Sequence, residues 1–175
     1  MDHDGVICLS NNWGNRDKLI RNYQKQYPGS VIPVSHRFDG FDKKAVKVLN
    51  SIFDNVSGLE IVVSSDWRFH CTLEQMQEYY HSQGINKVPI GYIPDMKTFD
   101  ADTYGLYSWK GWLSRIRIVE IRKWLEEQKH IESWVAVDDL PMHFDGLENF
   151  VFTPNFNEGI KQSGVCDKII SILNN

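Results

Sequence analysis

The chain has 175 residues, 42% of them hydrophobic, which suits one globular domain with a sizeable core. Its net charge of -4 gives no general attraction to nucleic acid or to an anionic membrane. No apolar run approaches the roughly 20 residues that span a bilayer, and the three cysteines form no CxxC pair. We therefore expect a single domain over 1–175, in the reducing cytoplasm and without a membrane partner.

The amino terminus begins with two acidic residues, in the order Asp2-His3-Asp4-Gly5-Val6. In an extended segment, residues two apart point the same way, so Asp2 and Asp4 can serve one site while His3 packs elsewhere. Gly5 lets the backbone turn sharply after them. Acidic residues next to glycine are also common in ordinary turns, so this string alone does not decide the chemistry.

The segment 7–41 follows, and it has no strong hydrophobic period. It is rich in aromatic and basic side chains, among them Trp13, Tyr23, Tyr27, His36, Arg37 and Phe38. A long irregular segment directly after a candidate active-site strand is often a substrate lid. We predict a minimal flap here; a surface insertion without function is the alternative.

The middle of the chain alternates between helical and strand patterns. Asp42 predicts the cap of a helix, and the run 61–63 predicts a buried strand that ends at Ser64-Ser65. A serine hydroxyl in that position can bind a phosphoryl oxygen or simply cap the next turn. Thr72 and Gln75 form a capping box for a second helix, which Gly84 ends, and Val88 to Ile93 form a weaker strand candidate.

The carboxyl-terminal half repeats this alternation. Ser114 predicts a helix cap within a basic stretch that contains Lys110, Arg115, Arg117, Arg122 and Lys123. The run 134–137 then predicts a strand ending at Asp138-Asp139, whose paired charges are costly without a cation but which also suit an Asx turn. The run 150–152 predicts a further strand, and 165–173 a final helix.

Strands that alternate with helices predict an α/β fold with a mostly parallel sheet flanked by helices. In such a sheet, ligands bind beyond the carboxyl ends of the strands. The acid pairs and the serines all stand at such ends, so we expect them to gather at one edge. This convergence is the main argument for an active site.

Acid pair, hydroxyl, cation and second acid pair, in that order, resemble motifs one to four of the haloacid dehalogenase (HAD) superfamily. The strings Ile-Val-Val-Ser-Ser-Asp-Trp-Arg (61–68), Arg117-x-x-Glu120-Ile121-x-x-Trp124-Leu125, Val137-Asp138-Asp139 and Asn157-Glu158-Gly159-Ile160 resemble HAD domains linked to RNA-repair proteins. The resemblance covers most of residues 1–6 and 41–173. It implies a Rossmann-like HAD fold with a small cap.

The same resemblance implies a magnesium-dependent phosphatase. Asp2 would be the nucleophile that becomes an aspartyl-phosphate, and Asp4 the general acid and base. Mg²⁺ would be held by Asp2, the backbone carbonyl of Asp4 and Asp138, with Asp139 bound directly or through water.

For the substrate phosphate, the resemblance implies a hydroxyl from Ser64, with Ser65 as its nearest competitor. Among the basic residues we choose Arg117 as the cation, because its spacing from Glu120 and Asp138 matches that group of domains, and Lys110 is second.

The substrate is a separate question. Arg68 can bind a second phosphate and Trp67 can stack on a base, or both can pack within the protein, with Arg68 paired to Asp66 or Glu74. We expect a nucleotide or nucleic-acid-end phosphate as substrate. A small-metabolite phosphatase is the alternative enzyme, and a catalytically inactive HAD-like binding module is the alternative from another class.

One feature departs from the HAD pattern. The first aspartate of HAD proteins follows a complete hydrophobic strand, whereas only Met1 precedes Asp2 here. A shortened chain is the explanation we prefer. A nucleophile at a terminus that frays would put both folding and activity in question.

Overall fold

The computed structural model describes residues 1–9, 15–96 and 109–175, with the backbone alone at 15–17, 109–110 and 144–145. Helices and short strands alternate along these ranges, as expected for an α/β fold. The helices are α1 (Asn15–Gln26), α2 (Lys43–Asn55), α3 (Leu73–Ser82), α4 (Trp109–Glu127) and α5 (Val165–Leu173). The strands are β1 (Ile61–Val63), β2 (Pro89–Tyr92), β3 (Ala136–Asp138) and β4 (Phe150–Phe152).

The strands form two parallel pairs, β1 with β2 and β3 with β4. The first two residues of the chain lie between the pairs. The amino group of Met1 donates to the Val62 carbonyl (2.7 Å), and the Ser64 amide donates to the Met1 carbonyl (3.0 Å). On the other side, the Asp2 amide donates to the Val137 carbonyl (2.9 Å). The amino terminus is therefore held by both strand pairs, and Asp2 does not stand on a frayed end.

Successive strand residues point to opposite faces, and each face is covered by helices. Val63 and Val137 belong to a large apolar core that also contains residues of α2, α3 and α5. Ala136 and Phe150 belong to a second cluster, which includes residues of α4. This layering of helices on both faces of the strands is the arrangement predicted from the sequence.

An apolar groove of about 600 Å³ lies beside Met1. It is bordered by the starts of β1 and β3 and by side chains of three helices, including Ile52, Trp124 and Leu173. The groove thus lies between the same two strand pairs that Met1 and Asp2 connect.

Most predicted elements are present with small shifts in their bounds. The strands 61–63 and 150–152 and the helix 165–173 have the predicted bounds, and the weak candidate 88–93 is the strand β2. Pro89 is tolerated because it is the first residue of that strand. The strand predicted at 134–137 starts later, where the Ala136 amide reaches the Asn149 carbonyl (2.8 Å).

Two of the three predicted helix caps, Asp42 and Thr72, are present. Asp42 accepts from the amides of Lys44 and Ala45, and Thr72 and Gln75 form the full capping box, as predicted. The prediction that Ser114 caps a helix is wrong, because α4 begins at Trp109 and Ser114 is buried within it. Gly111 lowers the stability of the helix but does not interrupt it. The residues directly before Ser114 therefore do not prevent the helix from beginning earlier.

The segment 7–41 is less irregular than predicted. It contains α1 and a 3₁₀ turn at Val34–His36, while residues 10–14 lie outside the described ranges. Its two ends belong to the core, since Ile7, Cys8, Phe38 and Phe41 are buried. Between these ends, the described side chains of residues 18–37 are exposed or half-buried, as expected of a flap.

Gly159 is the glycine with the tightest surroundings. Its φ is +53°, and a Cβ atom there would overlap the carbonyl oxygen of Val6. The next amide, that of Ile160, donates to the same oxygen (2.8 Å). The loop after β4 therefore packs directly on the backbone that follows Asp2 and Asp4.

We predict that Gly159→Ala lowers the free energy of unfolding by about 3 kcal/mol or more, because it combines left-handed strain with a backbone clash. Gly164→Ala is the matched control: its φ is +79° and a Cβ there would meet nothing within 4 Å. It should cost only about 1–2 kcal/mol. Urea unfolding curves measure both, and equal losses would contradict the close approach at Gly159.

Candidate active site

Three carboxylates converge where β3 ends and the amino terminus passes it. One carboxylate oxygen from each of Asp2, Asp138 and Asp139 lies within 4.8 Å of the others. Asp2 and Asp138 are buried, and the Asp138 carboxylate accepts a hydrogen bond from the Leu140 amide (2.9 Å). The predicted convergence of Asp2 with Asp138-Asp139 is therefore present in the fold.

Gly5 makes this convergence possible. Its φ is +68°, and a Cβ atom there would lie only 2.7 Å from atoms of the Asp139 side chain. The Thr153 hydroxyl donates to the Gly5 carbonyl (3.1 Å) and anchors the turn from the other side. A residue with a side chain at position 5 would therefore push the two acidic segments apart.

Arg117 provides the positive charge among these acids. Its Nη1 lies 3.4 Å from Asp2 Oδ1 and 3.3 Å from Asp138 Oδ2, and its Nη2 lies 3.0 Å from Asp66 Oδ1. Burial acts to lower the pKa of Arg117, but the neighbouring acids, led by Asp138 and Asp2, outweigh it and raise the pKa. The guanidinium is therefore charged, and it is oriented toward the carboxylates.

Asp138 is a fully buried carboxylate with a strongly raised pKa. Burial raises its pKa well above the ordinary value of 3.8, and the negative charge of Asp2 raises it further, while Arg117 opposes both. The positive charge of Arg117 therefore offsets only part of the unfavourable burial of the negative charges of Asp2 and Asp138. Clustered carboxylate oxygens are the ligands that Mg²⁺ prefers, so these residues fit a magnesium ion in donor type and in charge.

Asp4 directly precedes Gly5 and is half-buried. Its Oδ2 accepts a hydrogen bond from Trp67 Nε1 (3.0 Å). The Trp67 ring is buried and stacks on Phe38, with ring centroids 4.2 Å apart and planes 5° from parallel. The hypothesis that Trp67 stacks on a base is therefore wrong, and the core-packing alternative is confirmed.

His3 lies between the two acids in sequence and was predicted to pack away from them; it points into the core. It is fully buried, and its Nε2 lies 2.7 Å from the hydroxyl of Tyr80. Burial lowers its pKa well below the ordinary value of 6.5. The imidazole is therefore neutral near physiological pH and adds no positive charge to the site.

The two serines after β1 have different surroundings. The Ser65 hydroxyl accepts a hydrogen bond from the Trp67 amide (3.4 Å) and so caps the 3₁₀ turn Asp66–Phe69. Ser64 is buried, and its amide pairs with Met1, the residue next to Asp2. Ser64 is thus the serine whose backbone is tied to the amino-terminal acids.

Arg68 is buried beneath these serines. Its Nη1 donates to the Ser64 carbonyl (2.7 Å) and lies 3.4 Å from Asp66 Oδ1, and its Nη2 donates to Glu120 Oε1 (2.8 Å). The pairing with Asp66 was one of the predicted alternatives. Lys110, the second choice for the cation, has its side chain outside the described residues.

Two acids in this site are not among the site residues predicted from the sequence. Asp66 has a largely exposed side chain and contacts both arginines, and Glu120 is buried beside them. A usable signal existed for Glu120, because it lies three residues after Arg117 and therefore on the same face of α4. Asp66 follows the serines directly, but its sequence position did not show where its side chain points.

The model of one protein family, described as the HAD domain in Swiss Army Knife RNA repair proteins, matches residues 1–165. No curated protein and no solved structure matches the chain. Among the helices of the described ranges, none has the length and apolar character needed to cross a bilayer.

The raised pKa of Asp138 predicts how metal binding depends on pH. The folded state binds this proton more tightly than the unfolded state, so without metal the free energy of unfolding falls as pH rises above 3.8 toward the raised pKa. Mg²⁺ requires the deprotonated carboxylate, so it should stabilise the protein more at pH about 8 than at pH about 5.

Melting temperatures measured with EDTA and with MgCl₂ across this pH range test the prediction. Asp138→Ala removes a ligand oxygen and should abolish the stabilisation by Mg²⁺, whereas Asp54→Ala, an exposed change on α2, should leave it intact. A stabilisation by Mg²⁺ that does not vary with pH would contradict the role of Asp138.

Proposed function

The chain belongs to the family of HAD domains found in Swiss Army Knife RNA repair proteins, and from this premise we propose that it is a magnesium-dependent phosphohydrolase acting through an aspartyl-phosphate. Membership in a HAD family suggests a hydrolase, and among hydrolases a phosphatase. The observation that carries the proposal is the meeting of Asp2, Asp138 and Asp139 within 4.8 Å. Together with Arg117, these acids form a charged centre suited to phosphoryl transfer.

In the first step, a carboxylate oxygen of Asp2 attacks the phosphorus atom of the substrate. The bond from phosphorus to the leaving oxygen breaks, and the phosphoryl group is then carried by Asp2. Asp4 gives its proton to the leaving oxygen. The position of Asp4 in the sequence, two residues after Asp2 and directly before the turn at Gly5, supports this division of roles.

In the second step, water attacks the same phosphorus atom. Asp4, now deprotonated, takes a proton from that water, the bond from phosphorus to Asp2 breaks, and inorganic phosphate leaves. Both aspartates return to their starting states. Trp67 Nε1 holds the Asp4 carboxylate at 3.0 Å and so helps to keep it oriented through both steps.

A magnesium ion would be held by Asp2, Asp138 and the backbone carbonyl of Asp4, with Asp139 as a direct or water-mediated ligand. When bound, it neutralises phosphate charge and offsets the repulsion between the carboxylates and the substrate. Arg117 lies among the same acids and contributes a further positive charge toward the transferring group.

Ser64, Ser65 and Arg68 differ in how well they are placed to bind a phosphate. Ser64 is the better candidate to donate to a phosphoryl oxygen, because Ser65 already caps the following turn. Arg68 contacts the Ser64 carbonyl from below (2.7 Å), which supports a role in holding this turn in place. Direct binding of a second phosphate by Arg68 would require it to leave Glu120, its partner at 2.8 Å.

A nucleotide or nucleic-acid-end phosphate is the substrate class we propose. The family description names RNA repair, and the segment around α1 presents exposed basic side chains, including Lys18, Arg21 and Lys25. We assign this segment the role of the flap. In the same proposal, Met1 and Asp2 form the centre of a Rossmann-like HAD sheet, between β1 and β3.

We predict that Asp2→Asn abolishes turnover while fold and metal binding are largely kept, because a carboxamide is no longer a nucleophile but keeps an oxygen ligand. Hydrolysis of para-nitrophenyl phosphate with MgCl₂ or with EDTA is the assay. Asp54→Asn should retain full activity. Full activity of Asp2→Asn would exclude the aspartyl-phosphate, and wild-type protein inactive with Mg²⁺ would favour a binding module.

The substrate class makes a separate prediction. Values of kcat/KM should be at least about 10-fold higher for a phosphorylated oligonucleotide end or a nucleoside monophosphate than for a sugar phosphate, a difference of about 1.4 kcal/mol in transition-state stabilisation. Equal values would favour the small-metabolite phosphatase. Charge reversal of exposed Lys18 and Arg21 should reduce only the nucleic-acid value, if α1 contacts that substrate.

A further inference from the structure

We infer that Glu120 is a positioning residue that fixes the orientation of the Arg117 guanidinium beside the acid cluster of Asp2, Asp138 and Asp139. Through this orientation, Glu120 sets the affinity of the acid cluster for a divalent cation. Glu120 is buried on α4, one turn beyond Arg117. The catalytic consequence of this inference rests on the proposed function. The effect on cation affinity does not.

Glu120 contacts both arginines of the site. Its Oε1 accepts from Arg68 Nη2 (2.8 Å), and its Oε2 lies 3.6 Å from Arg117 Nε. A third contact comes from the Met96 amide, which donates to Oε1 at 3.3 Å. Burial raises the pKa of Glu120, while the charges of Arg68 and Arg117 oppose this. The side chain is thus enclosed and has little freedom to change its orientation.

The contact with Arg117 is made on one edge of the guanidinium. A guanidinium is planar, so holding its Nε edge restricts where its other nitrogens point. Those nitrogens are the ones near the acids: Nη1 reaches Asp2 and Asp138, and Nη2 reaches Asp66. Glu120 therefore contacts the Nε edge of the rigid guanidinium, while the acids contact its other two nitrogens.

This arrangement links Glu120 to cation binding. Arg117 Nη1 and a divalent ion use the same carboxylates, Asp2 and Asp138, so the two compete for them. With the Nε edge released, the guanidinium is free to move farther onto the carboxylates and to compete more strongly. Loss of Glu120 should then weaken cation binding, but only while Arg117 is present.

The test is a double-mutant cycle on the full chain, with Mn²⁺ binding measured by electron paramagnetic resonance. Glu120→Gln should weaken Mn²⁺ binding about 10-fold and Arg117→Met should strengthen it, an effect of the size expected for coupled charges. In the Arg117→Met background, Glu120→Gln should change the affinity by less than about 2-fold. Glu127→Gln, an exposed change on the same helix, should have no effect in either background.

An equal loss in both backgrounds would overturn the inference, because it would mean that Glu120 acts through its charge alone. Glu120→Asp separates the same two possibilities, because it keeps the charge but draws the carboxylate back. A positioning role predicts weaker Mn²⁺ binding by this variant, and a role of the charge alone predicts an unchanged Mn²⁺ affinity. Failure of the wild-type protein to bind Mn²⁺ would also overturn it. Melting curves check that each variant is folded.

Kinetics give the second readout. Glu120→Gln should lower kcat about 10-fold and leave KM within about 2-fold, because a misplaced Arg117 guanidinium loses more stabilisation of the transition state than of the bound substrate. A change confined to KM would overturn the positioning role. If the double-mutant cycle gives the expected Mn²⁺ affinities but the protein has no phosphatase activity, the proposed function is wrong and the positioning role of Glu120 stands.

Discussion

The guanidinium of Arg117 between Asp2 and Asp138 is the interaction on which this site depends. Burying two carboxylates side by side is unfavourable unless positive charge compensates them. Arg117 supplies that charge at 3.3–3.4 Å, but burial and then the negative charge of Asp2 still raise the pKa of Asp138. A further cation bound among these carboxylates would offset the repulsion between them. This is the physical basis for proposing a metal-dependent reaction here.

The backbone brings the acids together through very few residues. Met1 and Asp2 are hydrogen-bonded to Val62, Ser64 and Val137, so two residues join the strand pairs on either side. Gly5 and Gly159 then allow the turn after Asp2 and the loop after β4 to approach at backbone distance. Small residues and short strands allow these segments to approach one another closely. The helices on both faces pack apolar side chains against the strands and keep the segments in place.

The charged residues around Arg117 form a network rather than a set of independent pairs. Glu120 contacts Arg68 and Arg117, and Asp66 contacts the same two arginines from the solvent side. Arg68 in turn supports the turn that carries Ser64. A change at one of these positions therefore reaches the others, and their contributions are not expected to add.

The sequence by itself determined the α/β alternation, most strand and helix positions, the acid pairs and the family, because these follow from local periodicity and from motifs at strand ends. It identified Asp2, Asp138, Asp139 and Arg117, which the fold brings together. Only the tertiary structure decided that Trp67 is enclosed, that Arg68 faces Glu120, and that Asp66 contacts both arginines. Those outcomes depend on which distant side chains share one buried space, and spacing along a single chain does not specify that.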